Sequence, residues 1–102
     1  MAEDPYLAVT EESLRQERQK AHDLRRSQWW KNRRGNGVCY YCGQRFPPRD
    51  LTMDHLVPLS RGGRSTRGNV VPCCKECNTR KQQLLPIEWE QYLAALGHRA
   101  QA

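Results

Sequence analysis

The stretch Leu51-Thr52-Met53-Asp54-His55-Leu56-Val57-Pro58 sits between two Cys-x-x-Cys pairs, Cys39/Cys42 and Cys74/Cys77. It sets an acid beside an imidazole inside a frame of thiols. Residues 43–73 separate the pairs, a span that suits a hairpin followed by a helix folding back onto one ion. Four thiolates fill a tetrahedral zinc shell, which makes such a centre structural. A fifth cysteine, Cys73, directly precedes Cys74; a Cys73-x-x-x-Cys77 pairing is one option, and a small buried side chain is the other.

The flanking residues supply a small α+β arrangement. Val38-Cys39-Tyr40-Tyr41-Cys42-Gly43 reads as a zinc knuckle in which Gly43 permits the tight turn, followed by Phe46 and the Pro47-Pro48 turn. Leu51 to Leu59 alternates as a strand, Arg61 to Gly68 is a flexible basic loop, and Asn69-Val70-Val71-Pro72 returns as a second strand. A helix is predicted from near Cys74 through Gln83, ending before Pro86. Pro86 opens a last helix with Gly97 as its stop and Trp89, Leu93 and Leu96 on its packing face. On the other side, Thr10 with Glu11 and Glu12 starts one long helix that runs to about Arg34 and is stopped by Gly35-Asn36-Gly37. The chain thus divides into a basic helical arm (1–37), a core (38–83) and a C-terminal helix (84–102). Asp4-Pro5 has the form of a helix cap and first position.

At 102 residues, with 37% hydrophobic residues and a mean hydropathy of -0.93, one small domain with a thin core is expected. A structural zinc, contributing roughly 10–16 kcal/mol of folding energy at neutral pH, would compensate, so the metal-free chain is expected to be partly unfolded. Seventeen Lys and Arg against eleven Asp and Glu give a net charge of +6, which favours a polyanion without choosing among DNA, RNA and anionic lipid. Residues 15–34 concentrate eight basic side chains against Glu17 and Asp23, either as a solvated face or as a phosphate-contacting arm. Trp29 and Trp30 point about 100° apart on a helix, so one is expected in the core; base stacking is the alternative for such a ring. No run of eighteen apolar residues and no apolar leader region occurs, so neither a membrane span nor a signal peptide is expected, and the location is read as cytoplasmic. In that reducing compartment the cysteine pairs are better explained by zinc than by disulfides. No organic cofactor is expected.

The acid–imidazole pair has its own chemistry. Phosphodiester cleavage needs an activated nucleophile, neutralisation of charge on the phosphoryl oxygens, and help for the departing 3′ oxygen. His55 suits the base, since an imidazole with a pKa near 6.5 takes a proton at neutral pH while it is neutral. Asp54, its neighbour on a strand, points to the opposite side and is read instead as a metal ligand. Asn78, four residues after Cys74 and so on the same side of the helix, offers a second oxygen. Oxygen donors favour Mg²⁺ or Mn²⁺ where sulfur favours zinc. Arg61, Arg64 and Arg67 in the loop, with Arg80 and Lys81 after Asn78, are candidate phosphate contacts, Arg64 and Lys81 foremost.

Cys39-x-x-Cys42, Asp54-His55-Leu56-Val57-Pro58-Leu59-Ser60-Arg61-Gly62-Gly63, Asn69-Val70-Val71 and Cys74-x-x-Cys77-Asn78-x-x-Lys81 together resemble an HNH endonuclease over residues 38 to 82. The resemblance implies a ββα-metal core with a four-cysteine structural zinc. It implies that Asp54 and Asn78 hold the catalytic divalent cation, that His55 is the general base, and that Asn69 orients the base or its loop through hydrogen bonds. It also implies a DNA substrate. A zinc module that only binds nucleic acid explains the cysteines and the charge but not Asp54, His55 and Asn78. A nucleobase deaminase needs His-x-Glu and Pro-Cys-x-x-Cys, and a C₂H₂ finger needs a His-x₃₋₅-His pair; the sequence has neither.

Overall fold

The computed structural model describes residues 9–101, with side chains described through Leu96; the Asp4-Pro5 turn lies outside them. Its helices are α1 (Glu11–Arg25), α2 (Gln28–Gly35), α3 (Lys75–Lys81) and α4 (Pro86–Gln101), and its strands β1 (Thr52–His55) and β2 (Val70–Cys73) form one antiparallel sheet. Thr52 pairs with Cys73, Met53 with Pro72, Asp54 with Val71 and His55 with Val70. The order β1, β2, α3 is the expected ββα unit. Among the described residues no helix is long and apolar enough to cross a membrane.

The single long N-terminal helix is corrected to two. Ser27 breaks it, because its hydroxyl donates to the Leu24 carbonyl at 2.6 Å and accepts from the Trp30 N–H at 3.2 Å. One side chain thus closes α1 and caps α2, a competition with the helix ladder for which serine is suited. The turn buries Trp30, which is 1% exposed and lines a cleft with Leu51 and Met53. Trp29 stays half-buried and carries the guanidinium groups of Arg33 and Arg67 over its ring, at 5.8 and 5.3 Å.

The first strand is shorter than its apolar alternation suggests. Beyond His55, both backbone groups of Val57 are taken by the Asn69 side chain rather than by a strand partner, and Pro58 has no N–H to offer. Likewise Gly97 does not end the last helix, which continues to Gln101; a glycine inside a helix costs only about 1 kcal/mol and good helix formers flank it. Leu93 is 40% exposed, so the packing face of α4 is carried by Trp89, 5% exposed, and Tyr92, whose rings stack at 5.4 Å. At the start of α4 the Glu88 carboxylate accepts the Leu85 N–H at 2.8 Å, half of a capping box, and this bond, aided by Arg61, holds its pKa below the usual value.

Four thiols belong to the core, beside Trp30, Val70, Val71 and Trp89. Cys39, Leu51, Cys73, Cys74 and Cys77 form one buried cluster, flanked by Tyr41 and Phe46. The knuckle joins the sheet through the Tyr40 N–H, which donates to Pro72 O at 2.9 Å along the free edge of β2.

Candidate functional site

The Cys39–Gly43 knuckle closes through the Val38–Arg45 bridge, the Gly43 N–H to Cys39 O bond at 2.9 Å, and Gly43 itself at φ 71°. Cys74 caps α3, which brings Cys77 one turn on to the same side. The sulfurs of Cys39, Cys42, Cys74 and Cys77 lie within 4.8 Å of one another, with Cys42 and Cys74 4.0 Å apart. A tetrahedron with Zn–S near 2.3 Å has edges of roughly 3.8 Å, so the four are compatible with a zinc site. Backbone N–H groups of Cys74 and Cys77 point at the sulfurs of Cys39 and Cys74, both at 3.4 Å. Burial acts to raise the Cys39 thiol, but such hydrogen bonds outweigh it and bring the pKa down to about 7. Cys73 stands apart from this cluster, buried, with its thiol donating to Cys74 O at 3.3 Å. It lies outside the four convergent sulfurs, so it is the small buried side chain of the two options.

Asp54 and His55 line one cleft of about 250 Å³ with Leu14 and Arg18 of α1 and with Gln82 and Gln83 after α3. Asp54 is 8% exposed. Its Oδ2 receives the Tyr41 hydroxyl and stands 3.2 Å from the Lys81 ammonium. Burial and this hydrogen bond push the Tyr41 pKa up, so the phenol keeps the proton it donates. Lys81 is 0% exposed, donates to His55 O at 3.0 Å, and lies 5.7 Å from the Tyr41 ring centroid. The expectation that Lys81 meets phosphate is therefore corrected: its ammonium is spent inside, on the backbone and carboxylate of the acid–imidazole pair.

His55 lies on the other side of β1, its Nε2 2.9 Å from Ser65 Oγ. Burial lowers its pKa from 6.5, with Arg25 and Lys81 adding to the effect against Asp54 and Glu17. The 56–69 loop that returns from His55 is held by Asn69, whose carboxamide donates to Val57 O at 3.1 Å and Arg64 O at 2.7 Å and accepts from Val57 N at 2.9 Å. Gly63 completes the suture: a Cβ there would stand 1.8 Å from Val57 O, so no larger residue fits. The loop is thus fastened where the glycines had suggested freedom.

The model of a family described as HNH endonuclease matches residues 39–93. The chain belongs to the HNH endonuclease family. No curated protein sequence matches it significantly. The HNH match reaches Leu93, beyond the resemblance read from the motifs, and so takes in the Trp89 that docks α4 on Tyr41 with ring centroids 5.4 Å apart.

The remaining HNH positions are placed as follows. Asn78 lies on the exposed face of α3, outside the lining of the Asp54–His55 cleft, and its carboxamide makes no protein hydrogen bond among the described residues. Arg61 tethers the loop to α4: its partly exposed guanidinium bonds Glu88 at 3.0 Å and Gln83 O at 3.4 Å. Arg80 pairs with Glu76 at 2.7 Å on the exposed face of α3, Arg67 lies over Trp29, and Arg64 is exposed with no side-chain partner among the described residues. Tyr41, Ser65, Glu17 and Arg18 were not singled out from sequence. Lys81 carried a signal that went unread: four residues after Cys77, it shares the inward face of the helix.

Proposed function

We propose that this HNH protein is a metal-dependent DNA endonuclease that hydrolyses phosphodiester bonds with weak sequence preference. In this reading His55 is the general base and Asp54 and Asn78 hold a Mg²⁺ or Mn²⁺ ion, while Cys39, Cys42, Cys74 and Cys77 hold a structural zinc. The observation that supports it most is the shared cleft, lined by the half-buried His55 and by Asp54 together with Arg18. The donor types suit a hard cation: Oδ1 of Asp54 and the Asn78 carboxamide are both uncommitted among the described residues, but Asn78 stands outside the lining of the cleft, so its part in holding the ion rests on the family resemblance. When bound, the cation supplies charge neutralisation at the phosphoryl oxygens.

The chain's own residues do the rest. Tyr41 and Lys81 fix one carboxylate oxygen of Asp54, which orients the other. His55 takes a proton from water as the water oxygen attacks phosphorus, and the bond to the 3′ oxygen breaks. Asn69 holds the loop against β1 so that the imidazole stays in place. Arg61, Arg64, Arg67 and Arg80, with Arg18 at the cleft, are exposed or partly exposed guanidinium groups that would steady the phosphate backbone on either side.

Supercoiled plasmid cleavage tests this reading. Wild-type protein with Mg²⁺ or Mn²⁺ is expected to nick, EDTA to abolish nicking, and His55→Ala to lower the rate by about 10²–10⁴-fold with zinc content unchanged. If wild type binds DNA and holds zinc but never cuts, the chain is a nucleic-acid-binding module instead.

The pH profile gives a second check. The base works when neutral, and burial moves its pKa below 6.5. Activity is therefore expected to hold level as pH falls from 8 to 7 and to be lost only below 6.5. An acid limb centred above 6.5 contradicts it.

A further inference from the structure

A serine hydroxyl has one proton to give, and at Ser65 its destination is settled by chemistry. Oγ lies 2.6 Å from the Glu17 carbonyl oxygen, which only accepts, so the hydroxyl donates there. The second neighbour of Oγ is His55 Nε2, at 2.9 Å. With its proton already committed, Oγ accepts from Nε2–H. A neutral imidazole carries one N–H, so Nδ1 is left with the lone pair.

The serine itself is clamped. Its N–H donates to Glu17 Oε1 at 2.7 Å while Lys20 pairs with Oε2 of the same carboxylate at 3.0 Å. Ser65 is 7% exposed, and Asn69 ties down the preceding residue through Arg64 O. Glu17 belongs to α1, outside the residues that match the family. We propose that Ser65, clamped by Glu17, is a positioning residue that holds His55 in its Nε2–H tautomer and so directs Nδ1 at the attacking water. This rests on His55 being the base. It makes α1 a working part of the site rather than an appended arm.

Long-range ¹H–¹⁵N correlation spectra of the zinc-loaded 102-residue chain above pH 8 read the tautomer directly, without any cleavage assay. Wild type is expected to show Nε2 protonated and Nδ1 bare. Ser65→Ala is expected to mix the tautomers and to lower kcat roughly 10- to 100-fold with KM and zinc content unchanged, while Ser65→Thr restores both. Glu17→Ala, which keeps the hydroxyl but frees its backbone, is expected to move the spectrum the same way. A wild-type Nδ1–H tautomer overturns the proposal whether or not any variant folds. A Ser65→Ala protein with wild-type kcat and a pure Nε2–H spectrum also overturns it. His55→Ala, assayed in parallel, separates the two ideas: unimpaired cutting removes the base assignment itself, whereas a dead His55→Ala beside an unaffected Ser65→Ala removes only the positioning role.

Discussion

Stripping the metal from the four-cysteine centre is expected to unfold residues 38–83 rather than loosen them. The buried cluster of the domain consists mainly of Cys39, Cys73, Cys74 and Cys77 with Leu51, so the ligands and the core are largely the same atoms. Without an ion, four sulfurs crowded within 4.8 Å lose what holds them together, and few apolar contacts remain to keep the knuckle on α3. A zinc contribution of roughly 10–16 kcal/mol is of the same size as the whole stability of an ordinary small domain, about 5–15 kcal/mol. A strong chelator, with release of one zinc per chain followed by a chromogenic indicator, should abolish the near-ultraviolet circular dichroism of Tyr41 and Trp89. Cys77→Ser should express as an unfolded or aggregated chain, whereas Cys73→Ser should still bind one zinc. A metal-free protein that keeps its spectrum and melting transition would show that the core stands by itself.

The second large effect is expected at Lys81. A fully buried ammonium 3.2 Å from a carboxylate whose side chain is 10% exposed is tolerated only as a pair. Lys81→Met keeps the volume but leaves the Asp54 carboxylate facing an apolar neighbour and the His55 carbonyl without its donor. Losing one partner of such a pair costs about 3–5 kcal/mol. Most of that should return in the double variant Lys81→Met/Asp54→Asn, where the stranded charge is gone, because replacing both partners is far cheaper than removing one. Urea unfolding of the wild type, both single variants and the double variant measures the coupling. If Lys81→Met costs less than about 1 kcal/mol, the ion pair does not anchor Asp54. The double variant is expected to fold and yet fail to cut, since Asp54→Asn removes the carboxylate.

What could be read from the sequence was whatever depends on spacing along the chain. Cys-x-x-Cys twice, an acid beside an imidazole, and Asn78 four residues after Cys74 each bind near neighbours into one geometry, so the ββα unit and the four-sulfur cluster were legible. The break at Ser27 was not, because a serine in a helix-forming run becomes a cap only once Trp30 has somewhere to be buried. The burial of Lys81 and the tether at Arg61 were hidden for a related reason: a basic residue in a basic protein resembles every other until its partner, Asp54 or Glu88, is brought to it from 27 residues away. The Glu17–Ser65 clamp spans 48 residues and leaves no local trace.

The docking of α4 on Tyr41 carries a last consequence. Trp89, 5% exposed, packs edge-to-face with the Tyr41 ring whose hydroxyl serves Asp54, so the C-terminal helix adds low-dielectric surroundings on that side of the Asp54–Lys81 pair. Attraction between two charges scales inversely with the local dielectric, and the change from bulk water to an effective value near 20 strengthens it about fourfold. On this view the part played by Trp89 of α4 is indirect: it lowers the dielectric in which the acid of the cleft is held.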